Sequence, residues 1–244
     1  MTETHSSPMH LNQVFPWFYL LLAGIELSGR LWWMEGTRLE LLSKPLPLLA
    51  LLIYYLSQCP PWVKAFRAWL MPLALLGSWL GDILLMFPGE AFFLGGLGAF
   101  LLAHVAYILV LGEGRPIRRL VQTRSPAWVV LGFAPASLLL GYLWPYLPPA
   151  MQLPVGSYAI VISMMLLSAL SRQGRVSALS FRMVTAGALL FVLSDSLLGL
   201  NTFAQEAFTI PKASFWVMLT YLSAQYLIVQ GVLAQAKLAP AGPG

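Results

Sequence analysis

Residues 182–201 read RMVTAGALLFVLSDSLLGLN. Past the opening arginine this stretch is almost wholly apolar, with one carboxylate near its far end. At 1.5 Å of rise per residue, such a run in helical form spans the ~30 Å of hydrocarbon in a bilayer. Stretches of the same kind recur along the 244 residues. They predict spans at 15–33, 45–58, 68–87, 91–111, 127–146, 153–171, 182–201 and 213–235, the second being the shortest. The runs are too long and continuous for barrel strands, so each must satisfy its backbone internally as a helix. The expected fold is therefore all-α: a polytopic transmembrane bundle of eight helices. Pro45, Pro126, Pro154 and Pro211 stand at or just before expected helix openings, where a missing N–H costs least.

Composition points the same way. Hydrophobic residues make up 59% of the chain and charged residues 9%, against about 25% charged in soluble domains. A soluble protein of this length could not hide so much apolar surface in its core. The net charge of +5 does not indicate nucleic acid, because the basic residues sit in short gaps between apolar runs, as topology signals do. An even number of spans puts both termini on one side. With cytoplasmic termini, ten basic residues lie inside (Lys64, Arg67, Arg115, Arg118, Arg119, Arg124, Arg172, Arg175, Arg182 and Lys237) and four outside (Arg30, Arg38, Lys44 and Lys212). That bias favours cytoplasmic termini, with the first loop as its exception. The chain reads as an N-terminal tail over 1–14, a single transmembrane domain over 15–235 and a flexible C-terminal tail over 236–244. The first 14 residues hold no Lys or Arg and Glu26 interrupts the next run, so the first helix is expected to be retained rather than cleaved as a signal. The expected location is a membrane, as a multi-pass protein (the cell membrane in a bacterium). The lone cysteine, Cys59, reads as a small residue at a helix end.

The chain has two aspartates, Asp82 and Asp195, and both fall inside apolar spans. A carboxylate there costs at least ~2.5–3.5 kcal/mol on insertion scales, which marks it as a functional candidate. The bland alternative is a hydrogen-bonded carboxyl that pins two helices. The expected span ends place both acids roughly 7–9 Å below the same boundary, on the side opposite the termini. His104, the one histidine outside the N-terminal tail, shares a helix face with Tyr107 three residues on. Tyr221 and Gln225 share another, and Tyr158 enters its helix at similar depth. Packing explains each of these polar groups alone, since each must find a partner in lipid. Lys44, just before Pro45, snorkels to lipid phosphate, binds a substrate phosphate or balances an aspartate. Glu26 is either a third carboxylate of the site or an interhelical contact. Gly95-Gly96-Leu97-Gly98 reads as close helix packing.

Several chemistries find little support. No Gly-x-Ser-x-Gly elbow occurs, and Ser194 and Ser196 flank Asp195 without a histidine base nearby in sequence. One intramembrane histidine falls short of the several that a transmembrane zinc hydrolase uses. No phosphate-cradling glycine loop is present. A proton relay through Asp82 and Asp195 in a small transporter or channel fits the acids equally well, though the two aspartate motifs show no convincing inverted repeat.

Taken together, several pieces form a familiar pattern: Lys44-Pro45-Leu46, Gly81-Asp82-Ile83-Leu84-Leu85-Met86, the stretch Phe93 through Gly98 with Phe100, His104 and Tyr107, the run from Gly187 to Ser194-Asp195, and Tyr221 with Gln225. In order and spacing, from about residue 44 to 230, the chain resembles the YhhN family of polytopic membrane proteins, whose characterised members are lysoplasmalogenases. The resemblance implies an ether hydrolase that cleaves the vinyl ether bond of lysoplasmalogens, yielding a fatty aldehyde and glycerophosphoethanolamine or glycerophosphocholine. An ordinary ester lysolipid is the alternative substrate. Vinyl ether cleavage needs an acid to protonate the vinyl carbon and a carboxylate to stabilise the resulting oxocarbenium ion, as paired carboxylates do in glycoside hydrolysis. Two aspartates in a low-dielectric site cannot both ionise cheaply, so one would carry the proton. Asp82, Asp195 and His104 are the expected catalytic residues. Lys44, Tyr107, Tyr158, Ser194, Tyr221 and Gln225 are the expected substrate-binding residues. The expected partners are a lysophospholipid and membrane lipids, with no cofactor, metal or nucleic acid required.

Overall fold

The computed structural model describes residues 9–32, 38–58, 67–113, 115 and 126–236. Among these, helices are the sole regular elements. They are α1 (Met9–Trp32), the short α2 (Arg38–Ser43), α3 (Leu46–Gln58), α4 (Arg67–Leu84), α5 (Glu90–Leu111), α6 (Pro126–Leu143), α7 (Pro149–Leu170), α8 (Ala178–Phe203) and α9 (Ala213–Ala236). A 3₁₀ turn, Trp144–Tyr146, follows α6. Seven stretches are long and apolar enough to cross a membrane, and the apolar part of α4, Trp69–Leu84, is a shorter eighth. Apolar side chains stand out from the bundle, with Leu153 79% and Leu138 75% exposed. Exposure on that scale suits lipid as the solvent.

Several expected boundaries shift. Helix α1 opens at Met9, so residues 9–14 of the expected tail are helical. They are held because the Tyr54 hydroxyl donates to Asn12 Oδ1 at 2.9 Å, docking the first turns of α1 on α3. The second span is not the shortest: α2 adds to α3, and Glu40–Gln58 forms a 19-residue span. The short one is α4, which closes at Leu84 through a tightened turn, Met86 N–H to Ile83 O at 3.1 Å and Phe87 N–H to Leu84 O at 3.2 Å. Pro149, not Pro154, opens α7, and Pro154 lies inside it. Cys59, Lys64, Arg118, Arg119, Arg124 and Lys237 lie outside the described residues.

Helices α1 and α9 run antiparallel. Near the middle, the Tyr19 hydroxyl donates to Leu222 O at 2.9 Å. Lys212 Nζ, just before α9, donates to Leu31 O at the far end of α1 at 3.0 Å. The beginning of α1 and the end of α9 therefore share one face of the bundle. The closest helix pair is α8 with α9. A Cβ on Gly187 would stand 2.9 Å from Ala224 O, and one on Gly231 would stand 3.0 Å from Val184 N. Polar bonds reinforce the contact along its length: Ser180 Oγ to Gly231 O at 2.6 Å, Ser194 Oγ to Val217 O at 3.0 Å and Ser177 N–H to Gln235 Oε1 at 2.9 Å. Small residues and such bonds hold helices together where lipid removes the hydrophobic drive. Helices α4 and α5 approach in the same way. A Cβ on Gly77 would lie 3.2 Å from Ala99 O, and Gly96 packs under Leu85. Of the expected glycine cluster, Gly96 makes the tight contact and Gly98 faces open space.

Arg172 departs from a simple topology signal. It is 3% exposed, donates to Ser180 Oγ at 3.0 Å and lies 3.4 Å from Glu113. It pins the α7–α8 turn against the end of α5.

Two outcomes test this fold. Gly187→Ala and Gly231→Ala each overpack the α8–α9 seam and should cost about 1–3 kcal/mol, lowering the thermal midpoint in detergent. Gly141→Ala and Gly156→Ala, where nothing lies within 4 Å, should leave it within error. In a Cys59→Ala background, Glu206→Cys should react with an impermeant thiol reagent from outside intact cells, and Gln173→Cys should not. The reverse pattern inverts the orientation drawn from the basic residues.

Candidate active site

The face opposite the start of α1 and the end of α9 holds a cavity of about 250 Å³. The last turns of α1, α4, α6 and α8, the first turns of α5, α7 and α9, and the α2–α3 corner all contribute to it. Most of its wall is apolar, including Leu85, Phe93, Leu97, Phe100, Leu139, Leu143, Val155, Ile162 and Phe203. Gly81 shapes one side. A Cβ there would fall 2.5 Å from the Phe100 ring, so the missing side chain lets that ring lie against the backbone one residue before Asp82. Phe100 then meets Tyr221 edge-on at 5.8 Å.

Both aspartates line this cavity, although they come from different helices. Asp82 lies on α4, two residues before its last residue, Leu84, and Asp195 on α8, eight before Phe203. The longer α8 carries on past its acid while α4 stops soon after its own. Each carboxyl has its own tyrosine. The Tyr221 hydroxyl of α9 donates to Asp82 Oδ2 at 2.8 Å. The Tyr158 hydroxyl of α7 donates to Asp195 Oδ2 at 2.5 Å. A carboxyl accepting one such bond is pinned in place and keeps an oxygen for other work.

Lys44, Tyr158, Ser194 and Tyr221 also line the cavity, as do Arg30 and Glu40. Ser194 is committed to the Val217 carbonyl. The other expected residues lie behind the wall. His104 is fully buried among the rings of Phe191, at 4.6 Å, and Tyr158, at 5.3 Å. Its Nδ1–H donates to Phe100 O at 2.7 Å. This placement puts it beside Phe100 and Tyr158, two residues of the cavity wall, and off the lining itself. Tyr107 donates to Gln225 Oε1, and neither lines the cavity. No three His, Cys, Asp or Glu side chains gather into a metal-ligating group among the described residues.

Charged groups cluster at the mouth. Glu26 is fully buried. Its carboxylate takes Arg30 Nε at 2.9 Å and the Ser43 hydroxyl at 2.5 Å. Arg30 also meets Glu40 Oε1 at 2.7 Å. Glu26 is thus an interhelical anchor linking α1 to α2, not a cavity carboxylate. Arg30 and Glu40 were missed as site residues because a basic residue near a span end reads as a topology signal. The four-residue spacing of Glu26 and Arg30, a salt-bridge spacing on one helix face, was the available clue. Asn201 and Thr202, also in the lining, carry no signal in their local sequence.

Residues 39–232 match the sequence model of the YhhN family. A pig protein named lysoplasmalogenase TMEM86B is 37% identical over 167 residues, which are 68% of this chain and 65% of the relative. The rat protein of the same name is 29% identical over 223 residues, 91% of this chain and 85% of the relative. A Mycobacterium tuberculosis protein named lysoplasmalogenase is 36% identical over 172 residues, 68% of this chain and 60% of the relative. The matched region thus spans slightly less than two thirds of the pig and mycobacterial relatives. No solved structure matches the chain. The matched family region takes in Lys44, both aspartates and both of their tyrosines, and the chain belongs to the YhhN family.

Proposed function

We propose that the protein is a membrane-embedded lysoplasmalogenase. It hydrolyses the vinyl ether of a lysoplasmalogen to a fatty aldehyde and glycerophosphoethanolamine or glycerophosphocholine. One observation carries this reading: two carboxyls, each held by a tyrosine, line one apolar cavity whose mouth is charged. A single-chain amphiphile matches that layout, with its tail along the leucine and phenylalanine wall, its headgroup at Lys44 and its ether bond between the acids. Relatives named lysoplasmalogenase support the same substrate class.

The reaction starts with proton transfer to the vinyl carbon next but one to the ether oxygen. The double-bond electrons take the proton and leave an oxocarbenium ion. Water adds to the cationic carbon and loses a proton, giving a hemiacetal. The hemiacetal collapses, its hydroxyl proton is removed, and the glycerol oxygen leaves with a proton as the alcohol. One acid and one base suffice: the spent donor removes the hemiacetal proton and the protonated base gives its proton to the leaving glycerol oxygen, and the donor's change from acid to base is the one seen in retaining glycosidases. Each acid accepts one tyrosine hydroxyl, Asp82 from Tyr221 and Asp195 from Tyr158. One of the two is the proton donor. The other is the carboxylate that stabilises the cation and receives the proton of the attacking water. Tyr221 and Tyr158 fix the two carboxyl planes. His104 and Tyr107 act as positioning residues, with His104 supporting the Tyr158 ring from behind.

The test is purified protein incubated with a lysoplasmalogen and, separately, with its acyl-ester analogue. Aldehyde should appear from the first, and fatty acid should not appear from the second. Asp82→Asn and Asp195→Asn should each reduce aldehyde release at least 10²-fold, the scale of a lost general acid or a lost stabilising charge, without altering the thermal midpoint by more than a few degrees. Losses below tenfold contradict the assignment, and fatty acid release points to ester hydrolysis instead.

Tyr158→Phe separates holding from reacting. It keeps the ring beside His104 and removes only the bond to Asp195. A net hydrogen bond to a charged group contributes ~1.5–3 kcal/mol, so kcat should drop by about ten- to a hundredfold, less than for Asp195→Asn. A larger loss than for Asp195→Asn makes the tyrosine itself the acid.

A further inference from the structure

Behind the cavity wall, three helices join their buried polar groups into one run that ends on an acid of the site. Ser78 and Asp82 stand four residues apart on α4, and Tyr221 and Gln225 four apart on α9, so each pair shares a helix face. All four are buried, as is Tyr107 of α5. The Tyr221 hydroxyl donates to Asp82 Oδ2 at 2.8 Å. One turn further along α9, the Tyr107 hydroxyl donates to Gln225 Oε1. Ser78 acts on the Tyr107 hydroxyl, and the Gln225 amide acts on that of Tyr221. Phe191 packs edge-on against both tyrosine rings, with centroids 6.2 Å and 5.5 Å away.

A phenol has one proton to give, whereas an amide has an acceptor oxygen at one corner and donor N–H groups at the other. Tyr221 gives its proton to Asp82 and keeps lone pairs that can accept a bond. Tyr107 gives its proton to Gln225 Oε1, which turns that corner of the amide toward α5. Gln225 Nε2 is buried and bonds no carbonyl or carboxylate, which leaves its N–H for the Tyr221 oxygen. With the amide this way round, every bond in the run points toward Asp82. Reversed, the amide oxygen would face Tyr221 and compete for the proton that Asp82 receives. We infer that Gln225 is a positioning residue: oriented by Tyr107, its amide directs the Tyr221 proton onto Asp82 and leaves the second carboxyl oxygen for the cavity. The bearing on catalysis rests on the proposal that Asp82 acts on a lysophospholipid, whereas the coupling of the two hydroxyls through the amide does not. Neither Tyr107 nor Gln225 lines the cavity, so their loss should lower kcat and leave KM nearly unchanged.

A double-variant cycle on the two hydroxyls tests this in detergent-solubilised full-length protein. Tyr107→Phe and Tyr221→Phe keep both rings against Phe191 and remove only the hydroxyls. The loss of thermal midpoint in the double variant should fall well short of the sum of the single losses, because groups in one hydrogen-bond network couple. Gln225→Met, nearly the same shape without the amide, should abolish that coupling, so that in its background the two losses add. Aldehyde release from a lysoplasmalogen gives the second readout. Tyr107→Phe and Gln225→Met should each lower kcat about tenfold, the scale of one weakened bond to a charged group, with KM nearly unchanged. Once Tyr221→Phe is present, neither should lower kcat further. Additive midpoint losses, or a coupling that survives Gln225→Met, overturn the inference. Unchanged kcat in Tyr107→Phe and Gln225→Met, or losses that multiply with that of Tyr221→Phe, overturn its part in catalysis. Coupled midpoints in a protein that forms no aldehyde refute the hydrolase and leave the oriented amide standing.

Discussion

A carboxyl inside a membrane protein must be held by protein, because lipid offers it nothing. Here two phenol hydroxyls hold two carboxyls: Tyr221 holds Asp82 and Tyr158 holds Asp195. These bonds also tie α9 to α4 and α7 to α8, so satisfying the acids and closing the bundle are the same act. The tight α8–α9 seam around Gly187 and Gly231 fixes the helices that carry Asp195 and Tyr221. The α4–α5 approach through Gly77 and Gly81 brings Phe100 against Gly81, the residue before Asp82. What remains between these pairs is an apolar chamber with two restrained acids in its wall.

Charge is graded along the chamber. The mouth holds Arg30, Glu40 and Lys44, the wall holds the acids, and most of the rest is aliphatic and aromatic, with uncharged polar groups such as Asn201 and Thr202 among it. An amphiphile with a charged head and a single tail follows the same gradient. Low dielectric strengthens every electrostatic contact made there, so a carboxylate facing a nascent oxocarbenium ion counts for more than it would in water. The same medium makes carrying two bare carboxylates costly, which suits a cycle that needs one of them protonated at any moment.

Much of this was legible in the sequence. The eight apolar runs correspond to seven stretches long enough to cross a membrane and a shorter eighth in α4, and two aspartates within such runs were singled out because intramembrane charge is rare. Tyr158 and Tyr221 were chosen by depth and spacing, and each turned out to bond an aspartate. Boundaries failed where a tertiary bond overrode composition: Asn12 docks on Tyr54 and carries α1 back to Met9, and α2 lengthens the span that proline seemed to cut short. His104, Tyr107 and Gln225 were grouped with the site because a polar group on an apolar helix gives no sign of which side of a wall it takes. Arg30 and Glu40 were overlooked for the opposite reason. Near a span end a charge looks solvated, and only the fold turns α2 inward so that Glu40 meets Arg30.

The central claim is that Asp82 and Asp195 act as one unit on one bond. Groups that share a step show strongly non-additive losses, because removing either already removes what the pair achieves. The most direct measurement is aldehyde release by the double variant Asp82→Asn/Asp195→Asn beside both single variants. The account predicts that the double variant is no slower than about the slower single variant. Losses that multiply across the two sites, or a double variant that retains activity, would contradict it.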